Sequence, residues 1–376
     1  MSVRRAPWLG PRRLLSALLL FAGVLGTAVP AAAWNATGHV SIALLAYDAL
    51  PRTQRAALVQ LLKAHPRLEQ DIIPALPPSL PEGARDRWLF ALAATWPDLA
   101  RGQPSYDQGT WHYVNLPLSL RGGQLVQCQT ARRDFPESVR RIAALDAARR
   151  ARGLPGTPSG DSIREALPKN LRTLADASAP REARALSLSW VLHLVGDAHQ
   201  PLHAVALFTH DRFVTGDRGG NDILVRDRGP LHRVWDELLG SELTSDAVEA
   251  GLRQVVQGGR LPPAKPAPLG VAAVDTWLNE GCELARRAVY VPAILRAVER
   301  FEENPGTDAA APVAVAEVPA ADPAVGAPLR QATAPAPGKP ELALSAEYVQ
   351  RARHQAFERA RQAAARLARL LAGIRP

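Results

Sequence analysis

The chain has 376 residues, enough to bury one large hydrophobic core or two modest ones. Aromatic residues make up only 5% of it, and Ala, Leu and Arg are abundant, a composition that favours helices over sheets. The formal net charge of +9 suits a polyanionic partner. No apolar stretch is long enough to cross a membrane, so stable membrane insertion is not expected.

The first 33 residues are predicted to be an export signal and not part of the fold. Four arginines precede an apolar run at 14–24, and three alanines at 31–33 provide a small-residue cleavage site. We therefore expect cleavage following Ala33 and export to the periplasm or the medium. Loss of the four arginines leaves 41 basic and 36 acidic residues, a net charge of +5.

Several segments have apolar residues three and four apart, as in amphipathic helices. These segments are 40–63, 138–150, 181–198, 231–239, 272–303 and 345–374. No convincing set of alternating strands is present, although 222–226 is a candidate for a short hairpin strand. The predicted fold class is all-α, with at most a short β-hairpin.

Residues 34–376 are predicted to form one domain with a low-complexity Ala/Pro-rich insertion at about 304–340. A tract of this composition cannot form a packed core. It either tethers a separate C-terminal helix or interrupts the domain before its last core helix. The final helix has an apolar stripe that needs a surface to bury against, which favours the insertion.

The densest chemical signal is the segment HLVGDAHQPLH at 193–203. On a helix, His193 and Asp197 lie four residues apart and project from one face. Pro201 ends that helix, so the chain can turn His203 back toward the same space. Two imidazoles and a carboxylate that converge in this way suit zinc. Taken alone, the trio is equally compatible with a capping cluster or a hydrogen-bonded core group.

A second pair with the same spacing, His232 and Asp236, lies on another predicted helix. One such pair arises easily by chance, whereas two in a chain with nine histidines indicate a metal site. Upstream, Asp98 and His112 supply another carboxylate and another imidazole in aromatic surroundings. Each of these two is, by itself, more often a structural residue.

Trp34 and His39 lie at the expected start of the mature chain. After cleavage, the new α-amine and the carbonyl of Trp34 can chelate a metal ion together with His39. An amide nitrogen inside a chain is a poor ligand. This hypothesis therefore links the metal site to removal of the signal peptide.

Cys128 and Cys282 are the two cysteines of the chain. Export to an oxidising compartment favours a disulfide between them. Two unpaired thiols are the alternative, because the sequence does not show that the residues meet.

Together these positions resemble the zinc-dependent single-strand nucleases and 3′-nucleotidases, the S-one/P-one nuclease family. Nine positions match the ligands of that family in order along the chain. The resemblance assigns Trp34 and His39 to one zinc, Asp98, His112 and His193 to a second, and His203, His232 and Asp236 to a third, with Asp197 shared by two. It implies a mainly helical, phospholipase C-like fold and a cofactor of three Zn²⁺ ions.

Further residues carry over from the same resemblance. Arg101 would contact the phosphate group, and Tyr113 would stack on a nucleobase. Asn115 and Asn221 would hydrogen-bond that base, although Asn115 replaces the Asp found in fungal members, which affects base preference. Cys128 and Cys282 resemble a disulfide of the family.

The resemblance implies an exported endonuclease that hydrolyses single-stranded DNA or RNA to 5′-phosphate products and also acts on 3′-nucleotides. Asp98, Asp197 and Arg101 would be its catalytic residues, and no protein partner is implied. A zinc-dependent phospholipase C is the nearest alternative. That family has Glu where this chain has Asp236, and a longer gap between its N-terminal Trp and the first His. A non-catalytic exported zinc-binding protein is the other alternative.

Four histidines remain without a place in this assignment. The family does not use the position of His199, and Pro201 removes it from helical register with His203. His65, His210 and His354 are expected at the surface.

Overall fold

The computed structural model describes residues 34–81, 83–121, 124–126, 160–209, 213, 216–267, 271–303 and 338–375. The predicted export signal, the helix predicted at 138–150, Cys128, His210 and most of the low-complexity tract lie outside these residues. The disulfide between Cys128 and Cys282, and the division into one domain with an insertion, therefore remain predictions.

The described residues are mainly helical, which confirms the predicted all-α class. In chain order the helices are α1 (Ala36–Ala49), α2 (Arg52–Leu62), α3 (Arg85–Ala93), α4 (Trp96–Leu99), α5 (Ile163–Ala175), α6 (Arg181–Asp197), α7 (Pro201–Ala204), α8 (Leu231–Asp236), α9 (Ser245–Val255), α10 (Val271–Leu284), α11 (Pro292–Glu303) and α12 (Ala346–Ala372). Among these helices, none combines the length and the apolar character needed to cross a bilayer.

Two small sheets accompany the helices, where the sequence indicated at most one hairpin. The strands are β1 (Leu116–Arg121), β2 (Gln124–Val126), β3 (Val205–Phe208), β4 (Leu224–Val225), β5 (Gly229–Pro230) and β6 (Glu341–Leu342). In the first sheet β1 pairs antiparallel with β2 and parallel with β3. In the second, β4 pairs antiparallel with β5 and parallel with β6. The second sheet contains the strand anticipated at 222–226.

Two of the predicted helices are interrupted. The segment 40–63 forms α1 and α2, because Pro51 restricts Leu50 to an extended conformation with φ −77° and ψ 150°. The segment 272–303 forms α10 and α11, separated by a π-helical turn at Ala285–Val289. Helices α3, α5 and α9, and the single-turn helices α4 and α7, were missed by the sequence analysis.

Helix α6 is the centre of the fold. Every residue from Ser187 to Asp197 is buried, and the helix packs against α1, α2, α4, α5 and α12. Such a helix is expected to be apolar on all sides. Its last turns nevertheless carry His193 and Asp197 into the core, where polar groups need partners to offset the cost of burial.

His65 is buried, so the prediction of a surface position is wrong. Its ring packs edge-on against Trp96, with 4.5 Å between ring centroids, and its Nδ1 accepts a hydrogen bond from the Arg67 backbone N–H at 3.2 Å. Burial lowers the pKa of His65 to about 4, so the ring is neutral at neutral pH. The polar sequence around it did not show that its ring fills space beside α4.

Arg359 on α12 is a buried cation that joins three segments. Its guanidinium donates to the carbonyl oxygens of His199 at 3.0 Å and Trp277 at 3.3 Å. It also pairs with Glu280 at 2.7 Å, and Glu280 pairs in turn with Arg366 at 2.6 Å. This network holds α12 and α10 against the turn between α6 and α7. His199 is buried within it, with its Nε2 2.8 Å from Arg366, and so has a structural role.

We expect Arg359→Met to lower the free energy of unfolding by about 3 kcal/mol, because two buried carbonyls lose their donor and Glu280 loses one of its two cations. Arg351 on the same helix is the matched control, since its side chain is 61% exposed and pairs with Glu347 one turn away on that helix. Arg351→Met should cost at most about 0.5 kcal/mol. Chemical denaturation of both variants measures the difference, and equal losses would contradict the role given to Arg359.

Candidate metal centre

The first group of candidate ligands lies where α1 packs against α6. His39, His193 and Asp197 are buried, and each offers a ligand atom within 4.8 Å of the others. His39 Nε2 is 3.3 Å from Asp197 Oδ1, and the rings of His39 and His193 stack with 3.8 Å between centroids. A Cβ atom at Gly196 would lie 2.9 Å from His39 Nδ1, so glycine at this position allows the two helices to approach.

The second group combines α4, the 3₁₀ turn Gly109–His112 and α6. His112 Nδ1 is 2.9 Å from His193 Nε2, and both nitrogens are 3.9 Å from Asp98 Oδ1. Both nitrogens are also 3.2 Å from Asp197 Oδ2. Asp197 therefore directs one carboxylate oxygen to the first group and the other to the second.

The third group joins α7 and α8. His203 Nε2 is 3.1 Å from His232 Nε2, and His232 Nε2 is 3.5 Å from Asp236 Oδ2. His232 and Asp236 lie one helical turn apart, which places both on one face of α8. Gln200 donates to the second oxygen of Asp236 at 2.7 Å and so orients that carboxylate.

Backbone carbonyl groups fix the protonation of three of the imidazole rings. The acceptors are the carbonyl oxygens of Ala94 for His193, of His112 for His203 and of Gly219 for His232, each 2.7 Å from Nδ1. Because a carbonyl oxygen only accepts hydrogen bonds, each Nδ1 carries the proton and each Nε2 of a neutral ring is bare. This arrangement orients histidines for metal binding through Nε2.

The facing nitrogens of the third group provide a direct test of metal binding. His203 Nε2 and His232 Nε2 are both bare and 3.1 Å apart, so they present lone pairs to each other and cannot hydrogen-bond. A shared cation resolves this repulsion. Two nitrogen ligands about 2.0–2.1 Å from a tetrahedral zinc ion are about 3.3 Å apart, close to the observed spacing.

The first group also contains buried ligand atoms that a cation would stabilise. His39 Nε2 and Asp197 Oδ1 are buried and have no hydrogen-bond partner among the residues that the structure describes, although they face each other at 3.3 Å. A buried carboxylate oxygen without a donor is costly unless a cation is present. The ligand atoms of all three groups are imidazole nitrogens and carboxylate oxygens, both of which bind zinc. The residues present therefore fit metal ions.

Burial and mutual charge set the ionisation of the cluster. Burial lowers the pKa of His112 to about 4, and burial with the charge of His203 lowers that of His232 to about 3. Although burial opposes ionisation of Asp197, His193 and His203 hold its pKa well below the usual value. The neutral rings of His112 and His232 and the ionised carboxylate of Asp197 are the forms that bind metals. His193 differs, because although burial opposes the rise, Asp197 and Asp98 raise its pKa.

Asp236 shows the opposite effect. Burial, and then the charges of Asp197 and Asp98, raise the pKa of Asp236 well above its usual value. Three carboxylates in one buried space repel one another. Cations between them would remove this repulsion and favour the ionised form of all three.

Trp34 is fully buried beside the first and third groups. Its indole N–H donates to the Gly196 carbonyl oxygen at 3.0 Å, and the next backbone N–H, of Asn35, donates to the Asp236 carbonyl oxygen at 3.3 Å. The start of α1 is thus held between the C-terminal ends of α6 and α8. This position is compatible with a ligand role for the Trp34 backbone, which remains a prediction.

Arg101 and Tyr113 lie beside the second group. Arg101 Nε donates to Asp98 Oδ1 at 3.0 Å, which ties the guanidinium to a carboxylate of the second group. Burial raises the pKa of the Tyr113 hydroxyl, and the positive charges of Arg101 and Arg218 oppose this rise. Tyr113 therefore lies within electrostatic range of both arginines.

The two asparagines assigned to base recognition occupy different positions. Asn115 is half-buried, immediately before β1. Asn221 lies in the loop between β3 and β4, and its side chain donates to the Arg218 carbonyl oxygen at 2.8 Å. The same loop contains Gly219, the acceptor for His232. The structure therefore places Asn221 next to the third group, whereas a base contact for either asparagine remains a prediction.

Sequence reasoning missed the residues that orient the ligands. Gln200 stands inside the 193–203 motif, and its position just before Pro201, as the cap of α7, was the available signal. Asp217 accepts hydrogen bonds from the Leu207 backbone at 2.8 Å and from the Tyr290 hydroxyl at 2.7 Å, and so holds the loop that carries Gly219. Burial raises the pKa of Asp217 to about 6. No sequence pattern distinguished Asp217 from a surface acid.

Comparison with known proteins agrees with this geometry. The model of the S1/P1 nuclease family matches residues 34–304, a range that begins at Trp34 and contains all nine candidate ligands. Among curated proteins, no significant match is found. The family match covers more than two thirds of the 376 residues. The chain therefore belongs to the S1/P1 nuclease family and is a nuclease, a hydrolase of phosphodiester bonds.

Proposed function

We propose that this nuclease is an exported enzyme that uses three zinc ions to hydrolyse single-stranded DNA and RNA to products with 5′-phosphate ends, and that it also acts on 3′-nucleotides. The observation that carries the proposal is the position of Asp197. Its two carboxylate oxygens face two separate ligand groups, at 3.3 Å and 3.2 Å from the nearest imidazole nitrogens. A shared carboxylate suits a pair of ions about 3.5–4 Å apart, the spacing of two-metal phosphodiesterases.

Zinc ions bound by these groups would make water acidic enough to supply hydroxide near neutral pH and would offset negative charge on the phosphate. The protein supplies the orientation. Asp98 accepts from Arg101 Nε, and the terminal guanidinium nitrogens of Arg101 would bind the phosphate oxygens. A fixed positive charge at that point is worth most in the transition state, where negative charge develops on the phosphate and on the leaving oxygen.

Tyr113 supports the preference for single strands. Its ring is half-buried next to His112 and carries a hydroxyl at one edge. A base that stacks on such a ring must be free of its duplex partner. Asn115 and Asn221 would supply polar contacts to the base, and Arg101 would hold the adjoining phosphate.

Export is part of the same proposal. The family match begins at Trp34, the residue expected to follow the cleaved signal. An α-amine at Trp34 would exist only after cleavage, so a complete first metal site would form only in the processed protein. We propose that the disulfide between Cys128 and Cys282 also forms in the exported protein.

The proposed function is tested with the mature protein, residues 34–376, loaded with zinc. We expect cleavage of single-stranded DNA and RNA with 5′-phosphate ends, release of phosphate from 3′-AMP, and no hydrolysis of phosphatidylcholine. Phospholipid hydrolysis without nucleic acid cleavage would overturn the proposal in favour of a phospholipase C. Binding of three zinc ions with no hydrolysis of any of these substrates would indicate a zinc-binding protein.

Asp197→Asn should lower the zinc content of the protein and reduce single-strand cleavage at least about a hundredfold, because the neutral amide cannot hold two cations. Asp275→Asn is the matched control. Asp275 is also a poorly exposed carboxylate, but it pairs with Arg164 at 2.8 Å and lies outside the ligand groups. Metal analysis and activity measured on the same samples give the result, and an Asp197→Asn protein with full zinc content and activity would contradict the bridging role.

A protein with one extra residue before Trp34 should bind less zinc and cleave single strands at least about tenfold more slowly, because an amide replaces the α-amine ligand. The same residue added after Pro376 is the control and should change neither property. Full zinc content and activity in the N-terminally extended protein would rule out the terminal amine as a ligand.

A further inference from the structure

Two cations meet at one carboxylate in the loop beside the third ligand group. Arg218 contacts Asp222 through two hydrogen bonds, from Nη2 at 2.7 Å and from Nε at 3.0 Å. Lys339, just before β6, contacts the same carboxylate at 2.8 Å and donates to the Asn221 carbonyl oxygen at 3.2 Å. Two positive charges on one negative charge leave this cluster, Arg218–Asp222–Lys339, with a net charge of +1.

The cluster retains hydrogen-bonding capacity toward solvent. A guanidinium group has five N–H donors and an ammonium group three. The described contacts of Arg218 with Asp222 use two donors, and those of Lys339 use two. The Arg218 side chain is 63% exposed, so its remaining donors are accessible. An accessible guanidinium next to an ammonium group suits the oxygens of a phosphodiester.

The position of Arg218 is fixed by contacts on both sides. Its φ is 54°, a left-handed conformation that is uncommon for a residue with a side chain. Asp217 anchors the preceding position through Leu207 and Tyr290, and the Asp222 backbone N–H donates to the Asp217 carbonyl oxygen at 3.1 Å. Uncommon backbone conformations of this kind persist where the surroundings determine them, often at functional sites.

The following residue connects Arg218 to the metal centre. Gly219 accepts from His232 Nδ1 at 2.7 Å, and a Cβ atom at Gly219 would clash with the Leu202 carbonyl oxygen. Arg218 is therefore one residue from an acceptor for a candidate metal ligand. The positive charge of Arg218 also opposes the rise that burial causes in the pKa of the Tyr113 hydroxyl, so the two residues lie within electrostatic range.

We propose that Arg218 and Lys339 form a second phosphate subsite, which binds the backbone phosphate of the nucleotide next to the one held at Tyr113 and Arg101. This inference rests on the proposed function, because it takes the substrate to be a single strand with more than one phosphate. Asp222 pairs with both cations, and its negative charge weakens their attraction for a phosphate. A single-stranded nucleic acid would contact this subsite, whereas a mononucleotide would not reach it.

The experiment compares variants of the zinc-loaded mature protein on two substrates, a single-stranded oligonucleotide and 3′-AMP. Arg218→Gln and Lys339→Gln should each lower kcat/KM for the oligonucleotide about five- to tenfold at low salt. In a plot of log kcat/KM against log salt concentration, the slope of each variant should be about 0.7 less steep than that of the wild-type protein. Their kcat/KM for 3′-AMP should stay within about twofold of the wild-type value. Each variant leaves Asp222 with one cation, so the loop keeps an ion pair.

Asp222→Asn separates phosphate binding from a purely structural role. If the cluster only ties the loop to β6, this variant breaks both ion pairs and should lose oligonucleotide activity at least as strongly as the other two. In a phosphate subsite, loss of the competing carboxylate raises oligonucleotide kcat/KM or leaves it unchanged, with a steeper salt dependence. Arg226→Gln is the matched control. Arg226 directly follows β4 and pairs with Glu341 of β6 at 3.3 Å, so it also joins the β4 and β6 segments. This substitution should leave both substrates unaffected.

The outcomes also distinguish this inference from the proposed function. Suppose that the wild-type protein cleaves both substrates. If the Arg218 and Lys339 variants then lose activity on both substrates equally, or on neither, the subsite proposal is wrong while the nuclease assignment stands. If the wild-type protein cleaves neither substrate, the proposed function fails. A loss in Arg226→Gln as large as that in Lys339→Gln would also overturn the subsite, because it would indicate a structural effect.

Discussion

The structure depends on how charged and polar ligands are held inside the most buried helix of the fold. From Ser187 to Asp197 helix α6 is surrounded by other helices, yet its last turns carry an imidazole and a carboxylate. An ionised carboxylate in such a place costs several kcal/mol unless it is paired. His39, His112 and His193 all approach Asp197, but only as neutral rings do they leave lone pairs for a cation. The core therefore favours positive charge at its centre, and the three ligand groups around Asp197 could hold metal ions that supply it.

The architecture around α6 serves mainly to orient the ligands. Three backbone carbonyls, from three different segments, determine which nitrogen of His193, His203 and His232 is bare. The parallel pairing of β1 with β3 places the chain after His112 beside the chain after His203. Arg359 and its partners hold the turn between α6 and α7 against α10 and α12. The candidate metal ligands, their carbonyl acceptors and the packing that positions those acceptors thus form one continuous assembly.

Much of the site could be predicted from the sequence because its ligands follow short-range rules. His193 and Asp197, like His232 and Asp236, share a helical face at a spacing of four, and Pro201 marks the turn that returns His203. The partners across the fold were not accessible in this way. Nothing local indicated that Gln200 contacts Asp236, that Gly219 faces His232, or that Lys339 meets Asp222 more than a hundred residues away in the chain. These contacts arise from tertiary packing, which hydrophobic periodicity does not encode.

The errors in the fold have local causes. The break between α1 and α2 follows from Pro51, a signal that the apolar periodicity on both sides obscured. Helix α5 was missed although Ser162 and Glu165 form a capping box, because Pro168 inside the helix weakened the pattern. The two small sheets consist of very short strands that join distant segments, and strands of two to six residues leave little pattern to detect.

If cations lie between the facing ligands, anomalous X-ray diffraction at the zinc absorption edge will locate them. Crystals of the mature protein should show three zinc peaks: one beside His39 and Asp197, one among Asp98, His112 and His193, and one between His203 and His232. If crystals grown with zinc show the same fold but no peak between His203 Nε2 and His232 Nε2, these two nitrogens do not share a cation.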